Sequence, residues 1–281
     1  MSTLNDQAEE LLFTEVDPVR FDAFRAMLGM VMLVYFCVLT QGWVLAGEWI
    51  SIDGFHASSK LLPGILVAPL MHPFAVPLFG LLFLTVLVLW TVGHKVHWTG
   101  IVIFICVTYV SCADFLSQTP VNRLLVLALA VMACSPRDRR ALWPIRILQG
   151  LLLVQYFADG WTKAAHGDWL WNSHALWSQT QIYFMNPRSA FLAQALPQEL
   201  WSLLQWGILL FELLVPILLC TERLRPLALC LGLALHLGIA LLMEDMVWFS
   251  LLMVSFYVLF LPSHWLHAAN RALHFSEHSS S

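Results

Sequence analysis

Charge is scarce in this chain. Only 11% of its 281 residues are Asp, Glu, Lys or Arg, against 59% hydrophobic, and the mean hydropathy is +0.75. Soluble domains carry about a quarter of their residues as charges, so the balance excludes that class and points to a helical membrane protein. No basic cluster or basic-aromatic platform occurs, which excludes nucleic acid as a partner. The six cysteines (Cys37, Cys106, Cys112, Cys134, Cys220 and Cys230) show no CxxC or other paired spacing. They sit in apolar runs as small hydrophobes, so neither a disulfide framework nor a metal site is expected from them. Phosphate-cradling G-x-x-x-x-G-K-[ST], a post-strand GxGxxG and the metalloprotease HExxH are all missing. A cleavable leader is not expected either. Residues 1–19 are acidic and polar and lack a basic stretch before a short apolar core, so the first apolar run would serve as its own signal anchor.

Long apolar runs are what the chain has. A bilayer core needs about 20 apolar residues per helix. Runs of that kind fall at 21–46, 74–92, 97–117, 119–135, 143–163, 199–220, 226–243 and 246–262. The expected architecture is an all-α integral membrane protein, a bundle of about eight transmembrane helices over residues 20–262. A segment at 1–19 precedes it and a polar tail at 263–281 follows. Pro120 suits the start of the fourth run, where its missing N–H costs nothing. Residues 61–72 are apolar but short and proline-rich, and read as a re-entrant or interfacial piece.

Lys and Arg set the expected orientation. With both termini in the cytoplasm, ten of the 14 Lys and Arg residues fall inside, concentrated in "SPRDRR" and "TERLRP". Lys60, Arg123, Lys163 and Arg188 fall outside. The location expected is a bacterial inner membrane or its equivalent, with membrane lipid as the surrounding partner. Two outer loops result, 47–73 and 164–198. The second carries Trp169, Trp171, Trp177, Tyr183, Phe184 and Phe191 among polar residues. Aromatic rings of this kind favour the membrane interface, so short amphipathic helices lying on the outer surface are expected. They act as an anchor, or as a lid over a site at the outer helix ends.

Ionisable residues within such spans are functional candidates by default. Arg25 lies early in the first run and Asp114 near the outer end of the third. Asp159 and Lys163 are four residues apart in the fifth and so share a helix face. Gln155 and His166 continue that face, and Tyr156 and Gly160 form the neighbouring stripe. Lys163 either faces the bundle interior, pairs with Asp159, or extends to the headgroups. Glu212 has no charged neighbour in its own helix and so is protonated or paired across helices. Pro216, four residues on, frees the Glu212 carbonyl. His236 stands alone in the seventh run, with no second histidine at i+3 or i+4 to build a metal site on one helix. It reads as an interhelical hydrogen bonder or a ligand contact. His94, His97 and the tail histidines read as surface residues.

The stretch "RILQGLLLVQYFADGWTKAAHGDWL" (146–170) resembles the signature helix of the HTTM (horizontally transferred transmembrane) family, which includes the membrane domain of vitamin K-dependent γ-glutamyl carboxylases. The matching positions are Arg146, Gln149, Tyr156, Phe157, Gly160, Lys163 and Trp169. "DPVRFDAFRAMLG" (17–29), "FELLVP" (211–216) and the His236-containing stretch 235–262 resemble further parts of that family. Asp159 departs from it, because the carboxylase helix is small and apolar there.

The resemblance implies a membrane enzyme that uses a reduced quinone (vitamin K hydroquinone-like), oxygen and carbon dioxide. Lys163 would be the base that deprotonates the hydroquinone. Reaction with oxygen would then generate the strong base that takes a γ-proton from a glutamate, the carbanion would capture carbon dioxide, and the quinone would leave as its epoxide. A lysine works as a base only as the neutral amine, which low-dielectric surroundings favour. Tyr156, Asp159, Gly160, Glu212 and His236 would line the pocket, and Trp169, Trp171 and Trp177 would form the interface or lid. The family also implies a second possibility, a non-carboxylating membrane protein that assists maturation, export or immunity of a secreted peptide. The polypeptide partner is then a Glu-containing substrate in one case and a secreted peptide in the other.

Overall fold

The computed structural model describes residues 14–39, 75–113, 120–137, 140–167, 169–244 and 246–278. The outer loop 47–73, the proline-rich piece 61–72 within it and Asp114 lie outside the described residues. What is described is helical, apart from one antiparallel bridge between Glu15 and Ala141. The elements are α1 (Val19–Val34, continued by a π turn Tyr35–Leu39), α2 (Ala75–Thr91), α3 (Val96–Ala113), α4 (Pro120–Cys134) and α5 (Leu142–His166). They continue as α6 (Ala175–Ser178, with a π turn Gln179–Tyr183), α7 (Pro187–Ala195), α8 (Gln198–Cys220), α9 (Arg225–Leu242), α10 (Val247–Phe256, closing in a 3-10 turn Tyr257–Phe260) and α11 (Ser263–His278).

Within the described residues, each of the eight apolar runs falls on one of these helices. Among the described residues, α8 and α9 are long and apolar enough to cross a membrane, and a third span results if a bent helix pair at Val247–Ala269 counts as one. α2, α3 and α4 are apolar but shorter. Leu203, Leu210, Ile217, Leu227, Leu231 and Leu237 on α8 and α9 are all exposed. A row of bare leucines on two such helices is what hydrocarbon solvates and water does not. The protein is a membrane protein.

Two compact units divide the chain, residues 1–148 with 261–281, and residues 149–260. Lipid is as apolar as leucine, so helices inside a membrane gain little by burying leucine against leucine. Close approach and interhelical hydrogen bonds hold them instead, each bond worth about 0.6–1.7 kcal/mol.

The first unit shows both devices. Phe21, Phe24, Leu28, Val31 and Met32 make the buried face of α1 at helical spacing. α1 packs on α2, α2 on α3, and α3 on α4. A Cβ at Gly29 would lie 2.3 Å from the Thr91 hydroxyl, so glycine is what lets α1 and α2 touch. One turn earlier, Arg25 donates to the Trp90 and Thr91 carbonyls, the latter at 2.8 Å. It thereby caps the carbonyl end of α2, where the Trp90 carbonyl also takes the Gly93 amide at 3.1 Å. Gly93, at φ 93°, takes the left-handed conformation that turns the chain from α2 into α3. The tail helix α11 rests on α1, where His267 bonds Asp17. The Val19 amide and His267 hold the Asp17 carboxyl below the usual aspartate range.

Gly29→Ala should force the Thr91 side chain aside and cost about 1–3 kcal/mol by overpacking. Adding Thr91→Ala removes the atoms in the way and should restore part of that loss. Thermal unfolding of the two variants in detergent measures it. Equal losses in the single and double variants would exclude this contact as the reason for glycine.

Candidate functional site

Residues 149–260 bring three buried helix faces together. On α8 the buried residues are Trp201, Gln205, Leu209, Glu212, Val215 and Leu219, spaced by three or four. On α9 they are Ala228, Gly232 and His236, spaced by four. α5 adds Leu152, Tyr156 and Gly160, again four apart. The 3-10 turn after α10 adds Tyr257. Every polar group on these faces has left water, so each needs a partner.

Lys163 finds Glu212. The ammonium and carboxylate form a direct ion pair between α5 and α8, with the Glu212 side chain 7% and the Lys163 side chain 26% exposed. The other face of the ammonium lies 4.9 Å from the ring centre of Trp169. Lys163 is therefore held between a carboxylate and an aromatic face, and does not pair with Asp159. Asp159 instead accepts a 2.9 Å bond from Gln155 Nε2, one turn back on α5. Gly160 makes the Lys163–Glu212 pairing possible. A Cβ there would meet Glu212 Cβ at 3.0 Å and the Leu213 side chain at 3.2 Å.

Tyr156 finds two partners. Its hydroxyl bonds His236 Nε2 at 2.7 Å and also bonds the Tyr257 hydroxyl. Tyr257 and Phe249 pack rings against His236, and Phe211 packs edge-on against Tyr156 with centres 5.8 Å apart. Phe211, whose ring packs on Tyr156, directly precedes Glu212 on α8, and Tyr156 lies one turn before Gly160 on α5, so the phenol chain neighbours the ion pair. Two buried polar atoms of this site have no hydrogen-bond partner among the described residues, Glu212 Oε2 and His236 Nδ1. An orphaned buried acceptor costs about 1–3 kcal/mol, which the fold bears only where something else answers it.

The segment 169–198 divides. Trp169 is buried and forms a cluster with Leu176, Trp201 and Leu209 beside the ion pair. Trp171, 88% exposed, and Trp177, 38% exposed, do not join it. Gln205 holds the segment down. Fully buried, it donates to the Trp169 and Asn172 carbonyls at 2.8 and 2.7 Å and accepts from the Leu176 amide at 3.0 Å.

Lys163, Gly160, Glu212 and Trp169 thus meet in one place, Tyr156 and His236 bond each other on the adjoining faces, and Asp159 bonds Gln155 instead. Tyr257, Gly232 and Gln205 join them without having been singled out by the sequence. Gly232 carried a legible signal, one turn before His236 on the same face. A Cβ at Gly232 would fall 2.0 Å from the Tyr257 hydroxyl. Tyr257 carried none, since nothing short of the tertiary fold sets it 101 residues from Tyr156.

A family model described as HTTM domain matches residues 109–265, which contain the whole of this site. No curated protein and no solved structure matches the chain.

Gly232→Ala should displace the Tyr257 hydroxyl and cost about 1–3 kcal/mol in thermal unfolding. Tyr257→Phe in that background should recover part of that loss, because it removes the hydroxyl, the nearest of the atoms in conflict, and leaves only the ring edge, with Cζ at 2.7 Å, to be accommodated. A double variant no more stable than Gly232→Ala alone would sink the claim that Gly232 makes room for that hydroxyl.

Proposed function

We propose a function that starts from kinship: this chain belongs to the HTTM domain family, and its Lys163–Glu212 pair serves as the proton-accepting centre of a quinol-dependent, carboxylase-like membrane enzyme. The eight apolar runs would be its spans, both termini cytoplasmic, in a bacterial inner membrane or its equivalent. The observation that carries the reading is a half-buried ammonium in direct contact with a buried carboxylate. In a medium of low dielectric, separated charge is expensive. Moving one proton from Lys163 to Glu212 yields an amine and a carboxylic acid, and the amine is then a base. Glu212 would hold the proton that Lys163 must be without.

The donor set suits a reduced quinone. Glu212 Oε2 and His236 Nδ1 are both buried and orphaned, and a ring bearing two hydroxyls offers each a hydrogen-bond partner. When bound, a reduced quinone supplies electrons to oxygen and thereby the strong base that carboxylation of a glutamate γ-carbon by carbon dioxide needs. The chain's own residues have narrower tasks. Lys163 accepts a proton, Glu212 stores or returns one, and Tyr156 with Tyr257 fixes the His236 ring through Nε2. Trp169, packed with Leu176, Trp201 and Leu209, screens the amine from water on its outer side.

A second reading is favoured by the outer segment. Trp171, Ile182, Tyr183 and Phe191 are well exposed there, a surface able to grip a secreted peptide during maturation, export or immunity. In that case Lys163–Glu212 is a structural pair.

Purified protein supplied with a reduced naphthoquinone, oxygen and bicarbonate should form the quinone epoxide. Lys163→Ala should lower that rate by about 10²–10⁴-fold, the usual worth of a positioned base. Glu212→Gln should lower it too, while Trp171→Ala should not. Epoxide formation undiminished in Lys163→Ala would overturn the base assignment. No turnover by the parent protein, with peptide binding lost in Trp171→Ala, would favour the second reading.

A further inference from the structure

The polar site does not use a second feature of residues 149–260. Between α8 and α9 runs an apolar groove of about 440 Å³, within the roughly 300–1,000 Å³ of ordinary ligand sites. Trp201, Leu176 and Met243 line one end and Phe211 the other. From Trp201 to Phe211 is ten residues of helix, about 15 Å at 1.5 Å per residue, so the groove follows the helix axes. Its walls are smoothed by glycine. Gly207 on α8 and Gly238 on α9 both line it, and a Cβ on either would meet nothing within 4 Å. Phe211 stands between the groove and Tyr156, so the groove ends at the polar cluster without opening into it.

Both walls are the helices long and apolar enough to cross a membrane. Lining residues Leu203, Leu204 and Leu231 are bare on the surface, so the phase next to the groove is hydrocarbon. Thr180, the hydroxyl in the lining, donates to the Trp177 carbonyl at 2.9 Å, and with the Trp201 indole N–H as the one other side-chain polar group in the lining, the groove's chemistry is mainly apolar contact.

Charge gathers at the Trp201 end. The first turn of α7 bonds both sides of the mouth, through Ser189 Oγ to the Thr180 carbonyl at 3.0 Å and Asn186 Nδ2 to the Leu241 carbonyl at 3.2 Å. Arg188 lies between those two residues and is exposed. It is the one Lys or Arg in 164–198. Glu244, also exposed, follows α9 on the same rim, its amide bonded to the Phe184 carbonyl at 2.9 Å. A cation and an anion beside an apolar slot match a zwitterionic headgroup above a hydrocarbon chain.

We propose that this groove binds one acyl chain of an ethanolamine phospholipid, inserted from the leaflet on the Trp201 side, with its phosphate at Arg188 and its ammonium at Glu244. The groove shares Leu176, Trp201 and Phe211 with the surroundings of the Lys163 cluster but none of its charged groups, and the proposal does not depend on what that cluster does.

The test reconstitutes the full chain in vesicles containing phosphatidylethanolamine with a photoreactive acyl chain, irradiates them and maps the labelled residues. Labelling of groove residues within 204–211 and 231–239 is expected. Gly207→Leu and Gly238→Leu fill the slot with a better helix former than glycine, so they should fold and lose that labelling several-fold. Gly150→Leu, whose added side chain also enters open space but outside the groove, should label as the parent does. Arg188→Gln should weaken labelling by the phospholipid but not by a photoreactive fatty alcohol, which has no phosphate. Undiminished labelling in both groove variants overturns the chain site, and phospholipid labelling unchanged in Arg188→Gln overturns the headgroup assignment.

Discussion

The Lys163–Glu212 ion pair is the constraint on which the rest of the site depends. Two full charges can be removed from water only in contact with each other, because desolvation of either one alone costs several kcal/mol or more. Their contact therefore dictates how close α5 and α8 must come. Gly160 supplies that closeness, since a Cβ there would already press on Glu212 Cβ at 3.0 Å and on the Leu213 side chain at 3.2 Å. The pair also dictates what covers it. Trp169 takes the remaining face of the ammonium, and Gln205 fixes Trp169 by satisfying its backbone and that of Asn172. One interaction thus selects a glycine, a tryptophan and a glutamine on different segments.

The same logic of small residues and few, strong polar bonds runs through the molecule. In the first unit Gly29 admits α2 and Arg25 caps its end. In the second, Gly232 admits the Tyr257 hydroxyl, which then completes a chain from Tyr156 to His236. Gln149 donates to the Leu259 carbonyl at 2.9 Å and so ties α5 to the turn that carries Tyr257. In hydrocarbon these bonds and close contacts have no competing hydrophobic force to help them. That is why glycine and buried amides recur where helices meet, while leucine is found both between helices and on the outside.

Much of this was legible in the residues. Scarce charge and eight apolar runs pointed to a helical membrane protein, and within the described residues each run falls on a helix. The spacing of Tyr156, Asp159, Gly160 and Lys163 placed them on adjoining stripes of one helix, and Glu212 and His236 stood out as polar groups amid leucine. The i+4 spacing also made Asp159 an available partner for Lys163. The structure gives Asp159 to Gln155 and Lys163 to Glu212. Helical periodicity reports which residues share a face, whereas the choice between a neighbour one turn away and a carboxylate on another helix rests on how helices pack. Likewise Trp169, Trp171 and Trp177 looked alike as aromatics in an outer loop. Only Trp169 is drawn inward, because Gln205 lies beneath it.

By itself, the sequence determined the solvent this protein lives in, the helices it forms, its membership of the HTTM family and the polar residues that hydrocarbon makes costly. Those follow from composition and from contacts within one or two helical turns. Tertiary structure alone decided the partners: Glu212 for Lys163, His236 and Tyr257 for Tyr156, and the gap left between α8 and α9 at Gly207 and Gly238. Such pairings join residues 49 to 101 positions apart. No local periodicity encodes that separation. It is settled by which helix faces can approach closely enough to satisfy every buried charge at once.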